Sequence, residues 1–370
     1  MEAINHVSSG PAPLTRVMVV DDSAVIRGMI ARWLTEAGDF EIVCTASNGR
    51  MAVDLAERHK PEIVLLDIEM PEIDGLAALP KLLKAHPAAK VIVISTLTQR
   101  NAQISLKCLS LGAADYLAKP ESARSADAAA TFRRELVEKL RALSAPKIRT
   151  RRTRPALVQE PPAPASKVVS SRAAPARPQC LLIGSSTGGP RAVERVLQDL
   201  KPVLTSIPVL IVQHMPAMFT AVFADHLKAL LSLPCHEAKD GEAITPGTVL
   251  VAPGGRHMGV SAASGKPVIR LNDAPAENFC RPAVDVLFRE AAAVYGASTL
   301  ATVLTGMGSD GTQGARCVVQ AGGTVIAQDE ATSIVWGMPG SIVKAGLAHE
   351  ILPLDAIGRS LKGHIAGTPR

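Results

Sequence analysis

The sequence predicts an α/β protein of two domains, each a doubly wound parallel sheet, with a flexible linker between them. Short apolar runs alternate with helix-like segments in both halves of the chain, which is the pattern of parallel strands joined by crossover helices. A stretch rich in proline and arginine separates the two halves. The length of 370 residues, 47% of them hydrophobic, suits two or three globular domains.

The first domain is predicted over residues 15–144. Apolar runs at 16–20, 41–45, 63–66, 91–95 and 115–118 alternate there with helix-like segments. We assign each run to one strand of a parallel sheet.

Polar residues follow four of these strands. Asp21 and Asp22 follow the first run, Asp67 the third, Ser95 closes the fourth, and Lys119 follows the fifth. The carboxyl ends of parallel strands share one edge of the sheet, so these side chains are expected to meet. Three carboxylates together repel each other unless a divalent cation neutralises them, and oxygen ligands suit Mg²⁺. Taken singly, however, an Asp here is also a helix cap and Lys-Pro a common loop pair.

The linker is predicted over residues 145–178. It carries eight Lys and Arg against one Glu, and seven prolines, so it cannot build a core and we expect a mobile tether. The net charge of +6 resides in this segment rather than on a folded surface, and aromatic residues make up only 3% of the chain. Nucleic-acid binding is therefore not expected.

The compartment is predicted from cysteine usage and hydropathy. The six cysteines are scattered without metal-like spacing, so neither disulfides nor structural zinc are expected. No apolar stretch is long enough to span a membrane, and no secretory signal pattern opens the chain. We expect a cytoplasmic protein without membrane insertion.

The second domain is predicted over residues 179–369, and its first strand ends in a glycine-rich turn. Gly184, Ser186 and Gly188 have the G-x-S-x-G spacing that exposes a nucleophilic hydroxyl on a sharp strand-to-helix turn. Pro190 suits the first turn of the following helix. A glycine-rich turn of this kind also binds phosphate through free backbone N–H groups, so the motif alone leaves both functions open.

Two further strand ends favour catalysis. The run at 207–212 ends just before His214, and the run at 298–304 ends shortly before Asp310. At one sheet edge, Ser186 would attack a carbonyl, His214 would take its proton, and Asp310 would orient the imidazole. The structural alternatives are a hydrogen-bonded surface or core histidine and a turn aspartate. His257, after a shorter run at 248–251, is kept as a possible pocket residue.

Motifs in the first domain resemble those of response-regulator receiver domains, which implies a flavodoxin-like fold. They are Val-Val-Asp-Asp-Ser at 19–23, Leu-Asp-Ile-Glu-Met-Pro at 66–71, Ile-Ser-Thr at 94–96 and Ala-Lys-Pro at 118–120. The resemblance implies phosphorylation of Asp67 and Mg²⁺ on Asp21, Asp22, Asp67 and the Glu69 carbonyl. It also implies that Ser95 and Lys119 sense the phosphoryl group.

With the second domain included, the chain resembles the CheB family of chemotaxis protein-glutamate methylesterases, whose catalytic domain is Rossmann-like. The added motifs are Gly-Ser-Ser-Thr-Gly-Gly at 184–189, Gln-His-Met-Pro at 213–216, Ala-Pro-Gly-Gly-Arg-His-Met at 252–258, Arg-Pro-Ala-Val-Asp-Val-Leu-Phe at 281–288, Thr-Gly-Met-Gly-Ser-Asp-Gly at 305–311 and Gly-Met-Pro at 337–339. The resemblance implies the triad Ser186, His214 and Asp310, and it favours Ser186 over its neighbour Ser185.

The same resemblance implies a function. The expected reaction is hydrolysis of glutamate methyl esters on chemoreceptors, with deamidation of receptor glutamines, under control of a chemotaxis histidine kinase. Backbone N–H groups near Thr187 and Met307 are the expected oxyanion donors, and the hydrolysis itself needs no cofactor. Two alternatives remain: a receiver-controlled esterase with another substrate, and a non-catalytic signalling module whose basic linker binds nucleic acid or an acidic partner.

Overall fold

The structure of the protein is a computed structural model that describes residues 13–119, 126–144 and 177–367. All of the predicted linker except Arg177 and Pro178 lies outside the described residues, as does Pro120 of the Lys-Pro pair. The domain boundaries at 15–144 and 179–369 therefore stay predictions. Within the described residues, no helix is both long and apolar enough to cross a membrane.

The first domain is a five-stranded parallel sheet with helices between the strands. Its elements are β1 (Thr15–Val20), α1 (Ala24–Ala37), β2 (Phe40–Ala46), α2 (Gly49–His59), β3 (Ile63–Asp67), α3 (Gly75–Ala85), β4 (Lys90–Thr96), α4 (Gln99–Ser110), β5 (Asp115–Lys119) and α5 (Ala126–Ser144). The strand order β2-β1-β3-β4-β5 is the doubly wound flavodoxin-like order. All five predicted strands are confirmed.

Polar residues at the strand ends start the helices of this domain. Ser23 caps α1, Asn48 caps α2, Asp74 caps α3 and Thr98 caps α4, each by accepting a backbone N–H from the first turn. Such caps satisfy donors that have no partner within the helix. Ser23 therefore has the capping role, and its neighbours Asp21 and Asp22 remain at the carboxyl edge of the sheet.

The second domain contains a seven-stranded parallel sheet and an antiparallel hairpin. Its elements are β6 (Cys180–Ser185), α6 (Gly189–Leu200), a 3-10 helix (Lys201–Ser206), β7 (Val209–Gln213), α7 (Ala217–Leu231), β8 (Cys235–Glu237), β9 (Val249–Val251), β10 (His257–Ala263), β11 (Lys266–Asn272), α8 (Val284–Tyr295), a second 3-10 helix (Gly296–Ser298), β12 (Thr299–Val303), α9 (Thr312–Gln320), β13 (Thr324–Gln328), α10 (Met338–Lys344), β14 (Glu350–Leu352) and α11 (Leu354–Ala366).

The strand order β14-β13-β12-β6-β7-β9-β8 determines where a crevice forms in this domain. Strands β7, β9 and β8 lie on one side of β6 in the sheet. The later strands β12, β13 and β14 lie on its other side. A crevice forms at the carboxyl ends of the strands where the order reverses, which is between β6 and β12. Ser186 lies directly after β6 and Thr305 shortly after β12, so the predicted strand ends meet as expected.

The hairpin of β10 and β11 was not predicted from the sequence. Its strands pair from His257 with Asn272 to Ala263 with Lys266. It covers α8 with apolar side chains that belong to the buried core of this domain. His257 is fully buried; its Nε2 donates to the Pro275 carbonyl and its Nδ1 accepts from the Ala283 backbone. The idea of a pocket role for His257 was therefore wrong: it fixes the loop before α8.

The two domains pack against each other through α4 and β5 of the first domain. Helix α4 contacts α6 and α7. The Tyr116 ring of β5 stacks on Phe219 of α7 with 4.3 Å between centroids. Val335 of the second domain belongs to a buried apolar cluster of the first, and Met307 packs against the same cluster. The face of the first domain formed by α4 and β5 thus lies beside the crevice between β6 and β12 of the second domain.

Candidate active site

His214 and Asp310 form a hydrogen-bonded pair at the crevice. His214 follows β7, and its Nε2 lies 2.8 Å from Asp310 Oδ2. The His214 side chain keeps 13% exposure, whereas Asp310 keeps 2%. Two residues that are 96 positions apart in the sequence are therefore joined, as predicted from the strand ends.

Asp310 is held by the start of helix α8. Its carboxylate accepts the backbone N–H groups of Val284 at 2.7 Å and Asp285 at 3.0 Å, the first two residues of that helix. It also accepts from the Gly311 backbone and from Asn278 Nδ2. The positive end of a helix dipole stabilises a carboxylate in this position.

These contacts keep Asp310 ionised. Burial by itself would raise the pKa of Asp310, but the hydrogen bond and positive charge of His214, together with the backbone donors, lower it below its ordinary value. Asp310 can therefore orient the imidazole and stabilise its protonated form throughout the physiological range.

The second ring nitrogen of His214 faces Cys280. Its Nδ1 lies 3.6 Å from Cys280 Sγ. Burial lowers the pKa of His214, but the hydrogen bonds to Asp310 and Cys280, together with the negative charge of Asp310, outweigh burial and raise it to about 10. Since Nε2 is engaged by Asp310, Nδ1 is the nitrogen that can accept a proton from a nucleophile when the ring is neutral.

The adjacent serines have different surroundings. Ser185 is fully buried, and its hydroxyl donates to Gln213 Oε1 at 2.7 Å. Ser186 is partly exposed at the turn, and its backbone N–H donates to the Thr305 carbonyl. Gln213 Nε2 donates in turn to the Ser186 carbonyl at 2.9 Å, which fixes the turn from below.

Glycines make this turn possible. Gly188 adopts a left-handed backbone with φ of 74°, which other residues rarely adopt. A Cβ at Gly306 would lie 2.9 Å from the Ser186 Cβ, closer than two carbon atoms can approach. Gly188 is thus required by its backbone conformation, and Gly306 by its close approach to Ser186, the predicted nucleophile.

Thr187 and Met307, the predicted oxyanion and pocket residues, lie at the interface between the domains. Thr187 Oγ1 donates to Asp115 Oδ2 of the first domain at 2.8 Å. Met307 packs on the apolar cluster of that domain. Their side chains thus contact the first domain, and the oxyanion role of their backbone N–H groups stays a prediction.

A second charged site lies at the carboxyl edge of the first domain. Lys119 Nζ lies 2.8 Å from both Asp21 Oδ2 and Asp67 Oδ2. Burial and the negative charge of Asp21 raise the pKa of Asp67 to about 6, although Lys119 opposes this rise. Ligand oxygens of Asp21, Asp22 and Asp67 all lie within 4.8 Å of one another, so the arrangement fits one Mg²⁺ with oxygen ligands.

Ser95 connects this site to helix α4. Its buried hydroxyl lies 3.0 Å from the hydroxyl of Ser105 on that helix. The Glu69 side chain is exposed and accepts from Thr96 at 3.4 Å. The metal role of the Glu69 carbonyl stays a prediction.

Both halves of the chain are similar to known protein families. A CheB methylesterase family model matches residues 181–361, and a response regulator receiver domain model matches residues 17–130. A protein of Rhodopseudomonas palustris named protein-glutamate methylesterase/protein-glutamine glutaminase is 51% identical over 97% of this chain and 95% of its own. This chain belongs to the CheB methylesterase family.

Other CheB relatives are similar in extent. A protein of Azospirillum brasilense with the same name is 49% identical, over 93% of this chain and 91% of its own. The crystal structure of the Thermotoga maritima CheB methylesterase catalytic domain is 43% identical over 50% of this chain and 97% of its own, with a TM-score of 0.49. The two family models together show that the receiver and methylesterase domains predicted from the motifs are both present.

Sequence reasoning missed three residues of the CheB site. Gln213 and Asn278 supply hydrogen bonds to the turn and to Asp310, and Cys280 contacts His214. Gln213 precedes His214 in the Gln-His-Met-Pro motif at 213–216, so its position in the sequence could have indicated a place in the site. Asn278 and Cys280 lie on an irregular loop before α8, where no periodicity indicates which way a side chain points.

Proposed function

We propose that this protein is a phosphorylation-controlled serine hydrolase that removes methyl esters from glutamate side chains of chemoreceptors and deamidates receptor glutamines. The observation that carries the proposal is the hydrogen-bonded His214–Asp310 pair, which lies at the sheet edge where the Ser186 turn also begins. Relatives that cover nearly the whole chain are named for both reactions. The substrate glutamates lie on the cytoplasmic helices of receptors, so the protein acts in the cytoplasm.

The triad accounts for ester cleavage in two steps. His214 Nδ1 accepts the proton of the Ser186 hydroxyl as its oxygen attacks the ester carbonyl, while Asp310 stabilises the imidazolium. The tetrahedral intermediate collapses, the C–O bond to the methoxy group breaks, and His214 returns the proton so that methanol leaves. Water then attacks the acyl-enzyme carbonyl as one of its protons passes to His214. The bond between the acyl carbon and Ser186 Oγ breaks, His214 returns the proton to that oxygen, and the glutamate side chain leaves as the acid, which then ionises.

The receiver site provides the control. Asp67 accepts the phosphoryl group from a chemotaxis histidine kinase. Asp21, Asp22, Asp67 and the Glu69 carbonyl would hold Mg²⁺, which when bound neutralises negative charge on the phosphoryl oxygens. Lys119, between Asp21 and Asp67, supplies a further positive charge from the chain itself.

Restraint by the receiver domain follows from the interface. Thr187, next to the nucleophile, is bonded to Asp115 of β5, and α4 packs on α6 and α7. A phosphoryl group on Asp67 draws the Ser95 hydroxyl away from Ser105, which changes the packing of α4. Phosphorylation thereby biases the interface toward an open arrangement in which receptor helices reach Ser186.

The test is methanol release from methylated receptor. Ser186→Ala is expected to abolish release, and ammonia release from receptor glutamines should disappear with it because both reactions use one acyl-enzyme. Ser185→Ala is the matched control and is expected to keep most activity, since that hydroxyl is buried against Gln213. Full activity in Ser186→Ala would refute the proposal.

A further inference from the structure

We infer that His214 and Cys280 form an inhibitory binding site for a thiophilic divalent cation, with Zn²⁺ the best match. The inference rests on the proposed function insofar as His214 is the base. Imidazole nitrogen and cysteine sulfur are the two ligand types that Zn²⁺ prefers in proteins. They meet here although Cys280 lies 66 residues from His214, which is why sequence spacing does not reveal the site.

The spacing of the two ligand atoms matches a zinc site. Zinc binds sulfur at about 2.3 Å and imidazole nitrogen at about 2.0–2.1 Å, so two such ligands at a tetrahedral angle lie about 3.6 Å apart. The distance from Cys280 Sγ to His214 Nδ1 is 3.6 Å. A cation between them would need little movement of either side chain.

The surroundings of His214 also suit a metal ligand. Ligating histidines usually donate their other ring N–H to a carboxylate, which orients the ring and strengthens the nitrogen as a ligand. Asp310 accepts from Nε2 at 2.8 Å in this way. An oxygen of the Asp310 carboxylate lies within 4.8 Å of Cys280 Sγ and of a ring nitrogen of His214, and its charge further stabilises a cation.

Access to the site is open. His214 and Cys280 are both partly exposed, so water can complete the coordination shell and the cation can enter from solvent. Among the described residues there is one other group of three possible metal ligands. It consists of Asp21, Asp22 and Asp67, and it offers only oxygen atoms. That group favours Mg²⁺, whereas a site with sulfur selects a softer cation.

The functional consequence is direct competition with catalysis. A cation on Nδ1 occupies the lone pair that must accept the Ser186 proton. Bound Zn²⁺ therefore switches the hydrolase off without touching the receiver domain. Removal of the cation by a chelator restores the base, so the inhibition is reversible.

Two measurements on the full-length protein test the inference, both with Mg²⁺ in excess so that the aspartate cluster is saturated. The first is methanol release as Zn²⁺ is titrated, each variant being normalised to its own zinc-free rate. The concentration for half inhibition should rise at least about tenfold in Cys280→Ser and Cys280→Ala, a loss typical of disturbed metal sites. Cys317→Ser, which removes another partly exposed free thiol, is the matched control and should be inhibited like the unmodified protein.

The second measurement needs no catalysis, so it separates failure of this inference from failure of the proposed function. Co²⁺ replaces Zn²⁺, and binding is followed by the cobalt–thiolate charge-transfer absorption in the near ultraviolet. The band should appear in the unmodified protein and in Cys317→Ser, weaken in His214→Ala and vanish in Cys280→Ser. Equal zinc inhibition of Cys280→Ser and the unmodified protein, or absence of the band from the unmodified protein, would overturn the inference.

Discussion

The substitution Thr187→Val tests whether contact with the receiver domain restrains the hydrolase. Thr187 Oγ1 donates to Asp115 Oδ2 at 2.8 Å, and the two residues are 1% and 3% exposed. Valine has nearly the shape of threonine but no hydroxyl, so only this hydrogen bond between the domains is removed. Asp115 keeps Lys139 as a partner at 3.0 Å, so the carboxylate is not left unpaired.

The size of the effect follows from the kind of bond. A hydrogen bond to a charged group contributes about 1.5 to 3 kcal/mol, which is roughly 10- to 150-fold in the equilibrium between closed and open domains. In the open arrangement proposed above the two domains part at this contact, so we expect loss of the bond to favour that arrangement. The basal rate of Thr187→Val should therefore rise, up to the limit set by the fully phosphorylated enzyme.

The assay is methanol release with and without Mg²⁺ and a small phosphodonor. The ratio of stimulated to basal rate cancels any direct effect of the substitution on catalysis, and this ratio should fall in Thr187→Val. Thr187→Ser keeps the hydroxyl and should keep the ratio, whereas Asp115→Asn should lower it from the receiver side. An unchanged ratio in both Thr187→Val and Asp115→Asn would refute the role of this contact.

Further predictions concern the triad. Asp310→Asn should lower kcat by roughly 10³- to 10⁴-fold, as in other serine triads, because the amide no longer stabilises the imidazolium; a loss below tenfold would contradict the assignment. The rate should rise with pH through the raised pKa of His214, since only the neutral ring accepts a proton. In Cys280→Ala, the pKa of His214 should fall and the rising limb of kcat/KM should move to lower pH, because the thiol helps to raise that pKa. A limb that stays in place would show that Cys280 does not influence the base.

Much of this fold could be predicted because buried parallel strands leave a simple pattern in the sequence. The run at 180–185 is completely buried, and its continuous apolar sequence indicates that burial directly. The strands of the hairpin, β10 and β11, are partly exposed and mix apolar with polar residues, so they lack the continuous apolar run of a buried strand. Its turn, Ser264 and Gly265 with φ of 49° and 77°, was the available signal.

The site was predictable to the same degree as the strands that carry it. Ser186, His214 and Asp310 follow strands of one parallel sheet, so topology alone places all three at the same edge of that sheet. Cys280 and Asn278 depend on the path of an irregular loop, and the bond between Thr187 and Asp115 depends on how two domains dock. Local periodicity in the sequence encodes neither the path of that loop nor the docking of the two domains. These contacts could therefore be found only in the structure.

The most direct measurement of receiver-controlled methylesterase activity is methanol release from methylated chemoreceptor by the full-length protein, before and after addition of Mg²⁺ and a phosphodonor. We predict that release is stimulated in the unmodified protein, stays at the basal level in Asp67→Ala, and is absent in Ser186→Ala under both conditions. Release that is unaffected by the phosphodonor, or that persists in Ser186→Ala, would contradict this function.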